Sequence, residues 1–170
     1  MKFKPNYIII PLITILVALL GTYFTNQGMS WYNTELIRPE ITPPKWAFPV
    51  AWNIIFILTT IAALLIWNKG KTPHGFFASL LHKKGGSRYH WAITLLILNA
   101  ILNVGWTCLF FGQQMILESW GEMILLEMTL LILIVISWKI SKTASILLIP
   151  YTLWVALATY LTYEIIILNF

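Results

Sequence analysis

Five stretches of the chain stay apolar for the thickness of a bilayer, and polar residues gather between them. Tyr7 to Phe24, Trp46 to Trp67, Trp91 to Gly112 and Thr143 to Tyr163 contain no Asp, Glu, Lys or Arg. Ser119 to Trp138 is of the same kind but holds Glu122 and Glu127. A helix rises about 1.5 Å per residue, so about 20 apolar residues cross a hydrocarbon core about 30 Å thick. The pattern predicts five transmembrane helices, with the last apolar run continuing to Leu168. These runs are too long, and too rich in leucine without alternation, for the strands of a membrane barrel. Lys2 and Lys4 precede the first run, as in a signal peptide, but the run is long and Thr25-Asn26-Gln27-Gly28 is a poor cleavage site. A retained first helix is expected.

Composition narrows the class further. Of 170 residues, 59% are hydrophobic and 10% charged, whereas a soluble domain carries about 25% charged residues. There is too little charge to coat a water-soluble globule and too much apolar content for a disordered chain. Cys108 is the only cysteine, which excludes a disulfide scaffold and a thiolate metal cluster. The expectation is an all-α polytopic membrane protein, a five-helix bundle forming a single domain over residues 1–170.

Charge gives the orientation. Lys2, Lys4, Lys69, Lys71, Lys83, Lys84, Arg88, Lys139 and Lys142 all fall on one side of the five spans, and only Arg38 and Lys45 on the other. The positive-inside rule then places the N-terminus inside and the C-terminus outside. The net charge of +5 reads as this topology signal, not as a nucleic-acid surface, which needs presented cations with stacking aromatics. All six carboxylates are glutamates: Glu35, Glu40, Glu118, Glu122, Glu127 and Glu164. None lies in the two basic loops.

Candidate chemistry sits within and beside the spans. The outer connection from Thr25 to Lys45 carries Trp31-Tyr32, Pro39 and Pro43-Pro44, so it is expected to be stiff and extended. It reads either as an aromatic belt and helix start, or as a lid over a cavity between helices. Trp52 lies well inside the second span, on one face with Phe56 four residues on. Its ring needs a partner for the N–H and also offers a flat wall to an aromatic ligand. In the third span Asn99, Asn103, Trp106 and Phe110 align on one face. A side-chain amide there serves either an interhelical hydrogen bond or a bound molecule. Glu122 is expected near the outer interface, and Glu127 about one and a half turns deeper, where a carboxylate is costly and hence a functional candidate. Without intramembrane Lys, Arg or His, and without inverted repeats, a pump has little support. Pro150 frees a backbone carbonyl in the fifth span, where Trp154 and Ala158 share a face, for close packing or for ligand space.

Other chemistry is weak. His74, His82 and His90 recur at eight and eight residues, interrupted by Gly85-Gly86, which is not the spacing of a helical zinc site; they read as solvated or headgroup-facing. Phe76-Phe77 and Leu80-Leu81 between them suit the membrane surface. There is no nucleophile–base pair and no Gly-rich phosphate loop, and Cys108 lies in a span where its thiolate is disfavoured. No metal is expected.

Taken together, the chain resembles the TspO/MBR family of translocator and tryptophan-rich sensory proteins. The resemblance rests on Trp31-Tyr32 with Pro39 and Pro43-Pro44; Trp46 and Trp52; Asn103, Trp106 and Phe110-Phe111-Gly112; Pro150-Tyr151 with Trp154 and Ala158; and the terminal Leu168-Asn169. It covers about Trp31 to the end. It implies a five-helix bundle with a pocket beneath the first loop, ligands of porphyrin and isoquinoline or benzodiazepine type, no required cofactor, and a homodimer in membrane lipid. The small-residue pairs Ala47/Ala51 and Thr152/Ala156 permit close helix contact. Pocket positions implied by the resemblance are Tyr32, Trp46, Trp52, Phe56, Asn103, Trp106, Phe110, Trp154 and Ala158. Glu122 falls where the family has an acidic residue early in helix four. The implied function is binding and sensing of porphyrins, with or without their translocation. The alternative is an enzyme degrading porphyrin in light and oxygen, with Trp52 and Trp154 as its catalytic residues. There are departures. Leu161 and Tyr163 are followed by no basic residue, which argues against cholesterol as a partner. Thr162 stands where the family has Asn in helix five, and the loop between Asn68 and His90 is longer than usual.

Overall fold

The computed structural model describes residues 5–70 and 83–170. Five helices in it are long and apolar enough to cross a membrane, in agreement with the count of apolar runs. They are α1 (Asn6–Thr34), α2 (Ala47–Gly70), α3 (Lys83–Thr107), α4 (Ile116–Trp138) and α5 (Lys142–Asn169). A membrane span must satisfy its own backbone groups, and these helices do so nearly end to end. The helices form a ring in the order α1, α2, α5, α4, α3, with α2 also touching α3 across it.

The first helix runs further than expected. The segment from Thr25 to Lys45 is not an extended loop throughout, because α1 continues to Thr34 and carries Trp31 and Tyr32 on its last turn. Polar residues there remain helical by bonding to their own backbone. Thr25 Oγ1, Asn33 Nδ2 and Thr34 Oγ1 each donate to the carbonyl four residues back. Gly28 is buried because a Cβ there would fall 2.7 Å from Phe111 Cα, so only glycine lets α1 press onto that backbone. Residues 35–46 then form the loop, folded by two turns in which Thr42 N–H donates to Pro39 O and Ala47 N–H to Pro44 O.

The third helix ends in a π turn, Cys108–Gly112. Gln113 N–H reaches back five residues to Cys108 O at 2.9 Å, and Gln114 has φ 58°. Such a turn inserts one extra residue and re-aims the side chains that follow. Here it sends Phe110 into the core and Phe111 beside it, with ring centroids 4.8 Å apart. The Gly85-Gly86 pair lies within α3, so helical structure extends into the expected 68–90 loop from both sides. His74, His82, Phe76-Phe77 and Leu80-Leu81 lie outside the described residues.

The core is layered along the bundle axis. Ala62, Ala92 and Ala144 are fully buried with Ile66, Leu133 and Leu148 near the end that bears the α2–α3 connection. Ile55, Leu126, Leu130, Tyr151 and Val155 follow, flanked by Trp52 and Trp154. Phe110, Ile116 and Ile165 close the opposite end beneath Trp31, Tyr32 and Leu36. Small residues let α2, α3 and α5 pack closely at one end, and aromatic rings fill the other.

Candidate functional site

A cavity of about 450 Å³ lies under the 35–46 loop, within the range of small-molecule sites. Its walls come from four of the five helices, and its rim from the loop. Trp52, Trp106 and Trp154 enter it from α2, α3 and α5. Trp52 stacks on Phe56 (centroids 5.6 Å, interplanar 30°) and on Trp106 (6.1 Å, 28°). Phe48 meets Trp154 edge-on at 5.6 Å. The i to i+4 spacing of Trp52 and Phe56 puts both rings on the inward face of α2.

Of the nine ligand positions named from sequence, Tyr32, Trp52, Phe56, Asn103, Trp106, Phe110, Trp154 and Ala158 all line this cavity. Trp46 does not; it is 69% exposed, because α2 starts one residue later and the indole sits outside the helix mouth. Ala158 leaves space one turn from Trp154. Thr162, at the position where the family has Asn, also lines the cavity, and its hydroxyl donates to Ala158 O at 2.9 Å. Phe48, Phe111, Thr42 and Ile165 line it as well. Phe111 follows Phe110 in sequence and gives no periodic signal; the π turn brings its ring in beside Phe110.

Polar groups line the cavity both at its rim and deeper within it. Arg38 and Lys45 stand on the rim, with the Arg38 guanidinium 5.4 Å from the Tyr32 ring centroid. Deeper, Trp106 Nε1 is buried with no hydrogen-bond partner among the described residues, a donor free to meet a guest. The Asn103 side chain donates to the Tyr151 hydroxyl at 2.7 Å, and Asn99 to Thr129 Oγ1 at 3.4 Å. The third-helix amides therefore tie helices together, and Asn103 also faces the cavity.

A second, larger cavity of about 760 Å³ opens between α1, α2 and α3. Phe56 and Asn103 line both cavities and so form the partition. Helix α1 stands off here, fixed mainly by Thr60 Oγ1 donating to Thr14 Oγ1 and by Asn6 and Asn68 joined side chain to side chain.

The two intramembrane glutamates lie outside both cavities. Glu122 lies early in α4, near the outer end of that span. It turns toward α3, its Oε1 3.5 Å from where a Cβ on Gly105 would sit. Both its oxygens, and Oε2 of Glu127, are buried without a hydrogen-bond partner among the described residues.

Five membrane-length helices closed around a tryptophan-lined chamber define a multi-pass integral membrane protein. Known proteins place it more narrowly. The TspO/MBR family model matches residues 9–168, and the chain belongs to that family of membrane sensory and translocator proteins. It is 34% identical over 157 residues to the tryptophan-rich protein TspO of Chlorobaculum tepidum, covering 90% of this chain and 89% of that one. It is 33% identical over 147 residues to the membrane protein YtaB of Bacillus subtilis, covering 86% and 85%. The translocator protein of Ovis aries is 29% identical over 155 residues, covering 85% and 79%.

Proposed function

We propose that the protein binds porphyrins and related flat, hydrophobic aromatic molecules in the cavity under the 35–46 loop, as a sensor or carrier. One observation carries this reading: three indoles from three helices face a single chamber whose rim bears two cations. A porphyrin is apolar across its ring and acidic at one edge. Its ring matches the stacked faces of Trp52 and Trp106, and its carboxylates match Arg38 and Lys45. Neutral isoquinoline- or benzodiazepine-like ligands would use the aromatic wall alone. No cofactor is needed for binding. The N-terminus-inside orientation and a homodimer in lipid belong to the same proposal. The test is titration of the protein in lipid nanodiscs with protoporphyrin. Saturable quenching of tryptophan fluorescence supports the reading, and linear, non-saturating quenching opposes it.

A second reading is light-dependent porphyrin degradation. Trp52 and Trp154 line the same chamber, so a bound, photoexcited ring would lie near two electron-rich indoles and react by proximity. Illumination with protoporphyrin in air should then yield a new absorbing product. An unchanged yield in a Trp52→Phe, Trp154→Phe double variant would assign the product to ordinary photobleaching.

A further inference from the structure

The last polar residue of α5 reaches back over 132 positions to the loop. Asn169 Oδ1 accepts from the Ile37 N–H at 2.9 Å, and Asn169 Nδ2 donates to Ile37 O at 2.9 Å. The second hydrogen of that amide goes to Ile165 O at 2.7 Å. One side chain thus grips both backbone groups of one loop residue, while its own orientation is fixed by its helix. The grip does not follow from apolar burial at that point, since the Ile37 side chain is 60% exposed. The neighbour of the gripped residue is Arg38, which lines the cavity and lies over Tyr32.

We infer that Asn169 is a specificity-determining positioning residue: its amide clamps the Ile37 backbone and so holds the Arg38 guanidinium at the cavity rim, where it recognises the acidic edge of an aromatic ligand. The ligand part of this inference rests on the porphyrin-binding reading above. A guanidinium forms strong paired hydrogen bonds to a carboxylate only when its fork is correctly oriented. A loosened loop spreads Arg38 over many positions and weakens that recognition, without touching the aromatic wall. Asn169 therefore selects acids over neutral analogues while making no ligand contact itself.

Two measurements on the full-length protein in nanodiscs test this. The first is hydrogen exchange of the loop amides without ligand. Asn169→Ala should speed exchange at Ile37 and Arg38 while α2 and α4 stay protected; unchanged loop protection overturns the clamp. The second compares affinity for protoporphyrin and for its dimethyl ester. Asn169→Ala and Arg38→Ala should each weaken the diacid by about tenfold, the loss of one charge-assisted hydrogen-bonded pair, and leave the ester unchanged. The double variant should be no weaker than Arg38→Ala alone. Equal loss of both ligands, or losses that multiply in the double variant, overturns the positioning role. If the exchange result holds but wild type binds neither porphyrin, the clamp stands and the binding reading fails.

Discussion

Asn103 and Tyr151 meet through a 2.7 Å hydrogen bond that joins α3 to α5 beside the wall between two cavities. Both residues are buried. Tyr151→Phe should leave the Asn103 amide unsatisfied and cost about 1 kcal/mol, typical of one interhelical bond in a membrane. Thermal unfolding in detergent checks it. The pair Asn103→Leu, Tyr151→Phe should lose less than the sum of its single variants, because one bond cannot be lost twice.

Gly28 is where α1 presses on the π turn. Gly28→Ala must push the helix off Phe111, because the new Cβ meets backbone that cannot yield. The expected cost is about 1–3 kcal/mol, as for overpacking of a core. A lowered Tm should accompany weaker ligand binding, since Tyr32 lies on the next turn of the same helix. Gly121→Ala, with nothing within 4 Å of its Cβ position, should leave both unchanged.

The aromatic wall makes a comparison among tryptophans. Trp52→Ala removes the ring that stacks on both Phe56 and Trp106, and should weaken porphyrin affinity by about tenfold or more, a loss of at least ~1.4 kcal/mol. Trp138 is 44% exposed beside Lys142, with the ammonium 5.8 Å from its ring centroid, and Trp138→Ala should have no such effect. Trp46→Ala should also leave affinity within about twofold, since surface side chains outside a site contribute little. Fluorescence titration of the three variants measures this directly.

Glu127 lies in a span with a buried oxygen that has no partner among the described residues. Replacing it with Leu removes an uncompensated polar group from hydrocarbon and should raise the Tm. A fall in Tm would mean that the carboxylate is satisfied by a bound species, and would turn attention to it as a site.

The five spans were legible because hydrocarbon demands long apolar runs, and such runs are visible without neighbours. The inward stripe of Asn99, Asn103, Trp106 and Phe110 was legible for a similar reason: helical spacing places them on one face, and Asn99, Asn103 and Phe110 are indeed buried. The length of α1 was not. Thr25-Asn26-Gln27 looks like an exit from the membrane, but a helix needs only its own hydrogen bonds to continue, and the contact of Gly28 with Phe111 joins positions far apart in sequence. The resemblance pointed to Trp46 as a pocket residue, yet its indole depends on where the helix begins, and a shift of one residue leaves it outside. The π turn and the reach of Asn169 to Ile37 are tertiary events with no periodic trace. The pocket's aromatic wall could therefore be named in advance, while its rim geometry could not.

The most direct test is a structure of the protein in lipid with porphyrin bound. Binding in the chamber gives a flat density against Trp52 and Trp106 and within reach of Trp154, with its acidic edge toward Arg38 and Lys45. Porphyrin lying only on the lipid-facing surface of α4 or α5, with the chamber filled by repacked side chains, would contradict it.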